Sequence, residues 1–585
     1  MRLFILSFFC LTCTTLFSQK QKYQTPFEQQ ENYSATYQET IKYYEKLAES
    51  FPKQMQLKEY GMTDAGFPLH LAILSKNGDF SPASIQKNNK RILLVNNGIH
   101  PGEPCGVDAT MMLFRDYLTQ KDKQVDLENV VVIAIPFYNI GGGLNRGKYS
   151  RANQDGPSEH GFRGNAKNLD LNRDFIKNDS KNAQTFVQIW NEWQPDVFVD
   201  NHTSNGADYQ YTMTMIATQK DKLSPLLSDY LQQDMLPKLY ADMKMANWEM
   251  TPYVYVQNTP DDGIAGFLDL PRYSSGYAAL HNALSFMGET HMLKPFKNRV
   301  LSTYAFMNVL IKKVNADYQK IGQLREMTRQ AITKQTTFPL NWTIDKEAKE
   351  DLMFKGYTAK YKKSEISGLD RLYYDRAAPY EKNVPFFNTY KTTLSVKKPI
   401  SYIIPQAYSE IAERLMANGV TVKRLTENVF VPCEMYYIDS YESRKNPYEG
   451  HYLHYNVKVR AENVQQAFRK GDYVVEVNQS SNRFIVETLE PQAPDSYFAW
   501  NFFDGILMQK EYFSSYVFEE IAAEILKENP TLRVELEEKR KNDADFAKSG
   551  RAQLDFVYKH SPHYEPTHQL YPIGRLVQDV ELSVK

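Results

Sequence analysis

Short apolar runs that alternate with helical patterns constrain the fold of the first 320 residues more than any other feature. The runs lie near residues 70, 95, 133 and 199, and two of them read RILLVNNGI and VVVIAIPF. Between them lie patterns with helical spacing, such as VDATMMLFRDYL and SKNAQTFVQIWNEW. Strands that alternate with helices in this way are typical of an α/β fold built on a sheet.

The pattern changes after about residue 320. The polar, basic stretch QLREMTRQAITKQTT indicates a helix end and a linker. Alternating strand-like runs follow, including HYLHYNVKVR and DYVVEVNQ, and one segment beginning at Ser401 predicts strand, helix and strand. We therefore expect a catalytic domain over residues 19–330, followed by a β-rich α+β accessory region over residues 331–585.

The amino terminus is typical of a signal peptide. Arg2 supplies the positive charge, an apolar run extends from Leu3 to Phe17, and Ser18 is a small residue suited to cleavage. We therefore predict a signal peptide over residues 1–18, a secreted or periplasmic protein, and no transmembrane segment after cleavage. Only Cys105 and Cys433 then remain, so at most one disulfide is expected.

The charge of the chain excludes some partners. The formal net charge is −1 over 585 residues, so no basic surface for nucleic acid is expected. The sequence leaves the oligomeric state open.

A possible metal site begins where a predicted buried strand ends. His100 and Glu103 follow that strand in the segment GIHPGEPCG, and imidazole and carboxylate ligands suit zinc. His202, at the end of the strand-like run DVFVDNH, is a candidate third ligand. Three protein ligands leave a position for water, as a catalytic zinc requires. We therefore predict one Zn²⁺ per chain at His100, Glu103 and His202.

Other polar residues near these segments are candidates for binding and catalysis. Arg163 and the pair Asn172-Arg173 lie in FRGNAKNLDLNRDF, and the planar fork of an arginine binds a carboxylate through two hydrogen bonds. Glu289, in LSFMGETHML, is near the end of an apolar run and is a candidate general base. His291 is a competing metal ligand.

The order of these motifs resembles the zinc carboxypeptidase family. HPGE, RGN, DLNRDF, DNHTSN and GETHM follow one another over roughly residues 25–320. The resemblance implies a mixed central sheet flanked by helices, and a zinc enzyme that hydrolyses C-terminal peptide bonds. It implies that His100, Glu103 and His202 bind zinc, that Asn172 and Arg173 bind the terminal carboxylate of a peptide substrate, that Arg163 polarises the scissile carbonyl, and that Glu289 is the catalytic glutamate.

The chain departs from the family pattern at one place, and one residue of the pattern is not assigned. The digestive members have an arginine between the first histidine and the glutamate, where this chain has Pro101 and Gly102. The mobile tyrosine of the family has two candidates, Tyr273 and Tyr277, both in PRYSSGYAAL.

Two other functions remain as alternatives. The same fold could hydrolyse N-acyl amino acids or cell-wall peptides, and the long C-terminal region favours a polymer over a small substrate. A binding protein that has lost catalysis is the second alternative, although all the inferred catalytic residues are present.

Overall fold

The computed structural model describes residues 22–120 and 127–585, so the predicted signal peptide lies outside the described residues. Its centre is an eight-stranded mixed sheet with the order β1-β2-β4-β3-β5-β9-β6-β7. The strands of this sheet are β1 Met55–Met62, β2 Pro68–Leu74, β3 Arg91–Asn96, β4 Val130–Ile135, β5 Val197–Ser204, β6 Met213–Ala217, β7 Met250–Pro252 and β9 Leu284–His291.

Helices cover both faces of the sheet. The first long helix, Tyr37–Ser50, begins at a capping box in which Thr36 and Glu39 each bond the other's backbone N–H. Up to residue 334 the α-helices are Pro26–Gln29, Tyr37–Ser50, Pro82–Lys87, Cys105–Thr119, Ile140–Leu144, Lys181–Trp193, Pro225–Tyr230, Leu236–Met245, Ser274–Leu280, Phe296–Ala316 and Tyr318–Lys334.

The central strands are buried on both faces because their residues alternate between two apolar cores. In β4, Val130 and Val132 belong to the core under the helices Cys105–Thr119 and Phe296–Ala316. Val131 and Ile133 belong to the opposite core, which contains the helix Lys181–Trp193. Successive side chains of a strand point to opposite faces, so a run such as VVVIAI must be apolar throughout.

Three neighbouring strands, β3, β5 and β9, run parallel. Their carboxyl ends therefore lie at one edge of the sheet, where ligands bind in open α/β folds. The register places His202 of β5 directly beside Glu289 of β9.

The C-terminal region is rich in strands, as predicted, and also contains helices. Its strands form the sheets β10-β13, β11-β12-β8 and β15-β18-β14-β19-β16-β17, in which β8 comes from the first 330 residues of the chain. Their strands are β8 Ile264–Ala265, β10 Thr337–Ile344, β11 Glu350–Lys363, β12 Asp370–Phe387, β13 Tyr390–Lys397, β14 Ser401–Ile404, β15 Lys423–Arg424, β16 Val429–Ser443, β17 His454–Phe468, β18 Tyr473–Glu476 and β19 Gly574–Leu576. The α-helices of this region are Ser409–Ala417, Asn482–Leu489, Ser515–Glu528, Pro530–Asn542, Ala544–Ala547 and Gly550–Lys559.

The C-terminal region shares a core with the central sheet. Phe484 and Trp500, both completely buried, belong to the same apolar cluster as Leu94 of β3 and Trp190. The stretch expected to contain a linker is the helix Tyr318–Lys334, with Ile332 buried in that cluster. No helix among the described residues is both long and apolar enough to cross a membrane.

The shared core leads to a prediction about stability. Phe484→Ala should lower the free energy of unfolding by about 3–5 kcal/mol, because it removes a completely buried ring and leaves a cavity. Urea unfolding followed by circular dichroism measures this. The matched control is Phe430→Ala, since Phe430 is 68% exposed and its loss should have little effect. Equal unfolding midpoints for the two variants would contradict the prediction.

Candidate metal centre and substrate cleft

The two histidines and the glutamate predicted as metal ligands meet at the carboxyl edge of the parallel strands. His100 and Glu103 lie in the loop after β3, and His202 is on β5. Their exposed fractions are only 2%, 3% and 2%, respectively. Among the described residues, these three form the one group of histidine, cysteine and acidic side chains placed to hold a metal ion.

The orientation of the two imidazoles fits a cation between them. His100 Nε2 lies 2.8 Å from Asp170 Oδ1, and His202 Nε2 lies 3.0 Å from Asp200 Oδ2. A proton on each Nε2 then leaves both Nδ1 atoms with free lone pairs. These Nδ1 atoms are only 3.2 Å apart, and two lone pairs at that distance have no proton to share.

The spacing of the ligand atoms also fits zinc. His100 Nδ1 is 3.4 Å from Glu103 Oε1, and His202 Nδ1 is 3.2 Å from Glu103 Oε2. Two donor atoms that bind one tetrahedral zinc at about 2.0–2.1 Å are ~3.3 Å apart. The three side chains therefore match the donor set and the spacing of a zinc site with an open fourth position.

Glu103 is held by contacts from several directions. Its Oε2 accepts the backbone N–H of Thr203 at 2.8 Å, and its Oε1 contacts the guanidinium groups of Arg151 and, at 3.3 Å, Arg163. Although burial opposes it, the charge of the Arg151 guanidinium and the contacts with the two imidazoles hold the pKa of Glu103 well below its usual range. The carboxylate is therefore ionised and ready to bind a cation.

Glu289 lies beside the metal ligands and lines the same cavity. Burial raises the pKa of Glu289 to about 7, and the nearby negative charge of Glu103 adds to the rise. A carboxylate with a pKa near neutrality is suited to proton transfer at physiological pH.

The cavity in front of these residues has a volume of about 640 Å³ and mixed walls. Ile216 and Met287, paired across β6 and β9, contribute apolar surface. Arg163 is 43% exposed at the polar side, where its Nε donates to Asp170 Oδ2 at 2.9 Å. Part of its guanidinium group is thus fixed by protein carboxylates while the remainder faces the cavity.

The pair Asn172-Arg173 lines the cavity from the short 3-10 helix Leu171–Arg173. Asn172 Oδ1 accepts the backbone N–H of Ser274 at 3.0 Å, so this bond fixes the side-chain amide without using its NH₂ group. Arg173 Nη1 donates to the carbonyl of Asn172 at 2.8 Å, and the guanidinium stacks 4.6 Å from the ring centre of Tyr273. Two donor side chains are therefore held at fixed orientations.

The structure separates the two candidate tyrosines. Tyr273 lines the cavity beside Arg173. Tyr277 is completely buried, and its hydroxyl donates to Asn418 Oδ1 at 2.6 Å. The side chain of Tyr277 points away from the cavity and packs in the apolar core against Phe175 and Trp190. Tyr277 therefore cannot reach a substrate in the cavity.

His291 and Cys105 are occupied by other contacts. His291 Nε2 lies 2.9 Å from the carbonyl of Ala207, and its Nδ1 accepts the N–H of Leu293. Cys105 is a buried free thiol 3.4 Å from Thr290 Oγ1, and Cys433 is also free. Neither His291 nor Cys105 belongs to the metal-ligating group.

Sequence reasoning missed three residues of the site. Asp170 and Asp200 orient the two histidines. The signal for Asp200 was present, since it is two residues before His202 and so on the same face of β5. Arg151 had no such signal. It contacts Glu103 and crosses directly over Gly102, where an added Cβ would lie 2.3 Å from Arg151 Nε. That close approach explains the glycine at this position.

Comparison with known proteins identifies a family for part of this chain. Residues 40–278 match the model of the zinc carboxypeptidase family. The chain is 21% identical over 445 residues to carboxypeptidase 2 of Trichophyton rubrum, covering 71% of this chain and 75% of the relative. Carboxypeptidase 2 of Trichophyton equinum is also 21% identical, over 446 residues, with the same coverage of both chains. The chain thus carries a domain of the zinc carboxypeptidase family, and its enzyme class is metallocarboxypeptidase.

Two solved structures align with about half of this chain. Carboxypeptidase A from Helicoverpa armigera aligns with a TM-score of 0.37 and 16% identity, over 49% of this chain and 74% of that one. A metallo-carboxypeptidase from Burkholderia cenocepacia aligns with a TM-score of 0.34 and 15% identity, over 47% and 69% of the two chains.

The geometry predicts the effect of removing one ligand. His202→Ala should lose most of the bound zinc, of which we expect about one ion per chain in the unmodified protein, because two ligands hold the ion poorly. Elemental analysis of purified, dialysed protein measures the ratio. His560→Ala, which changes an exposed histidine far along the chain, is the control and should retain zinc. Full zinc content in His202→Ala would show that the ion lies elsewhere.

Proposed function

We propose that this protein is a zinc-dependent carboxypeptidase that removes C-terminal residues from peptides. The observation that carries the proposal is the placement of four elements around one cavity: the group His100, Glu103 and His202, the glutamate Glu289, the arginine Arg163, and the donor pair Asn172-Arg173. A metal site alone fits many hydrolases, whereas the donor pair beside it suits a free terminal carboxylate.

His100, Glu103 and His202 would hold the zinc ion. When bound, zinc polarises a carbonyl oxygen and lowers the pKa of a coordinated water toward ~7. Asp170 and Asp200 keep the two imidazoles in the tautomer that presents Nδ1 to the ion.

Glu289 would act as the general base and then as the general acid. It accepts a proton from the attacking water as the new carbon–oxygen bond forms. It then donates this proton to the amine nitrogen as the carbon–nitrogen bond breaks, so the carboxylate is regenerated. Its raised pKa suits both steps, since the group must gain and lose the same proton.

Arg163 and the pair Asn172-Arg173 would bind two different parts of the substrate. Arg163 faces the cavity beside Glu103, so it is placed to stabilise negative charge on the oxygen of the scissile carbonyl. Arg173 and the Asn172 amide would bind the terminal carboxylate, with Tyr273 against the guanidinium face. The apolar surface of Ile216 and Met287 suits an apolar terminal side chain.

Two further points belong to the proposal. Secretion is inferred from the sequence of residues 1–18, and N-terminal sequencing of the mature protein tests it. Hydrolysis of N-acyl amino acids or cell-wall peptides remains an alternative for the same site, which the choice of substrates below separates.

The role of Glu289 leads to the third prediction. Glu289→Gln should keep the fold and the zinc but lower kcat by about 10²–10⁴-fold, because the amide has a similar shape and cannot accept the proton. Steady-state kinetics on a peptide ending in leucine, with zinc content measured in parallel, tests this. The matched control is Glu365→Gln, on an exposed hairpin turn, which should behave as the unmodified enzyme. A nearly normal kcat in Glu289→Gln would mean that another group transfers the proton.

The fourth prediction concerns recognition of the terminal carboxylate. A charge-assisted bond from Arg173 is worth about 1.5–3 kcal/mol, so Arg173→Ala should lower kcat/KM for a free-acid peptide roughly 10- to 150-fold. The amidated peptide lacks the charge and should already be a poor substrate of the unmodified enzyme. Arg173→Ala should therefore reduce the difference in kcat/KM between the free-acid peptide and the amidated peptide. Arg173→Lys should recover only part of the loss because it lacks the planar fork.

Kinetics on matched acid and amide peptides and on N-acyl amino acids decide between the alternatives. An equal loss on acid and amide would mean that Arg173 only braces its loop. Equal rates of the unmodified enzyme on both peptides would exclude a carboxypeptidase. Cleavage of N-acyl amino acids without cleavage of peptides would favour the amidohydrolase.

A further inference from the structure

The hairpin β16–β17 of the C-terminal region reaches the loop that carries the active-site residues. At its tip, residues 448–451 form a tight turn in which Tyr448 and His451 exchange backbone hydrogen bonds of 2.7 and 3.1 Å. The two central residues, Glu449 and Gly450, have φ angles of +52° and +85°. Positive φ at both central positions defines a type I′ hairpin turn.

A glutamate is an unusual residue at the first central position of this turn. Asparagine, aspartate and glycine are preferred there, because other side chains crowd the backbone when φ is positive. Strained positions of this kind cluster at functional sites. The geometry of the turn therefore does not explain why a glutamate is at position 449.

A hydrogen bond between the Glu449 side chain and the active-site loop explains the glutamate. Glu449 Oε2 accepts the backbone N–H of Asp170 at 2.6 Å, across 279 residues of chain. The carboxylate of Asp170 in turn contacts three groups of the site: His100 Nε2 at 2.8 Å, Arg163 Nε at 2.9 Å and the backbone N–H of Asn172 at 2.9 Å. One buried residue thus connects Glu449 to a metal ligand, to the carbonyl-binding arginine and to the carboxylate-binding pair.

Two further contacts join the C-terminal region to loops of the site. His451 Nε2, on the other side of the turn, lies 2.6 Å from Asp179 Oδ2. Asp495, also from the C-terminal region, binds both the backbone N–H and the side-chain Nε of Arg272, next to Tyr273. The contact of His451 with Asp179 therefore anchors the hairpin tip beside Glu449.

We propose that Glu449 is a positioning residue of the active site, which fixes Asp170 and through it the orientation of His100, Arg163 and the Asn172-Arg173 pair. This rests on the proposed carboxypeptidase function. It also means that the C-terminal region completes the catalytic site without lining the cavity.

The variant Glu449→Gly separates positioning from stability. Glycine favours positive φ, and this gain should offset the loss of one hydrogen bond, so we expect the melting temperature to change little. The Asp170 N–H loses its acceptor, so we expect kcat/KM on a free-acid peptide to fall about 5- to 10-fold, below the loss typical of direct partners of metal ligands. Glu449→Gln retains an oxygen acceptor and should stay within about threefold of the unmodified enzyme.

Two readouts do not depend on catalysis. Hydrogen exchange of the segment 168–174 should become faster in Glu449→Gly, and the zinc affinity, measured by competition with a chelator, should fall several-fold. Glu442→Ala is the control, because Glu442 is on the same hairpin and exposed, and contacts Asn456 instead of the site. It should change neither quantity.

The outcomes separate the two proposals. If the unmodified enzyme cleaves no peptide, the proposed function fails, while exchange and zinc affinity still test the positioning role. If Glu449→Gly matches Glu442→Ala in exchange, zinc affinity and kcat/KM, Glu449 positions nothing and the inference is overturned. If Glu449→Gly lowers the melting temperature by several degrees and speeds hydrogen exchange no more in the segment 168–174 than elsewhere, the contact serves general stability and the inference is also overturned.

Discussion

Two buried imidazole nitrogens with free lone pairs, held 3.2 Å apart beside an ionised carboxylate, are the constraint on which the rest of the site depends. Such a group is unfavourable without a cation between its members, because no donor among the described residues satisfies these lone pairs. Asp170 and Asp200 impose the arrangement by binding the opposite nitrogen of each ring. The parallel strands β3, β5 and β9 then bring the three ligands together at one edge.

The charges around this centre suit the substrate that we propose, a peptide with a free terminal carboxylate. Four carboxylates, of Glu103, Glu289, Asp170 and Asp200, and three guanidinium groups, of Arg151, Arg163 and Arg173, lie around the metal ligands. With all carboxylates ionised, a divalent cation leaves the site one positive charge in excess, which the terminal carboxylate of a peptide would neutralise. Each arginine also has a fixed protein partner, so little reorganisation is needed when the substrate binds.

The C-terminal region is part of the same physical unit as the catalytic sheet. Its residues Phe484 and Trp500 complete the apolar core on one face of the sheet, while Glu449 and Asp495 hold the two loops that carry Asn172-Arg173 and Tyr273. The sequence pattern of this region differs from that of the first 330 residues. The folded chain nevertheless joins it to the site through contacts between residues more than 200 positions apart.

The sequence by itself determined the α/β class, the β-rich character of the C-terminal region and the residues proposed as metal ligands and base, because apolar periodicity and strand-end placement are local properties. It did not separate Tyr273 from Tyr277, four residues apart on one turn of chain, since only packing decides which ring enters the core. The sequence also did not indicate the close approach of Arg151 to Gly102 or the hydrogen bond between Glu449 and Asp170. Such contacts join residues distant along the chain, and they exist only when the folded backbone brings them together.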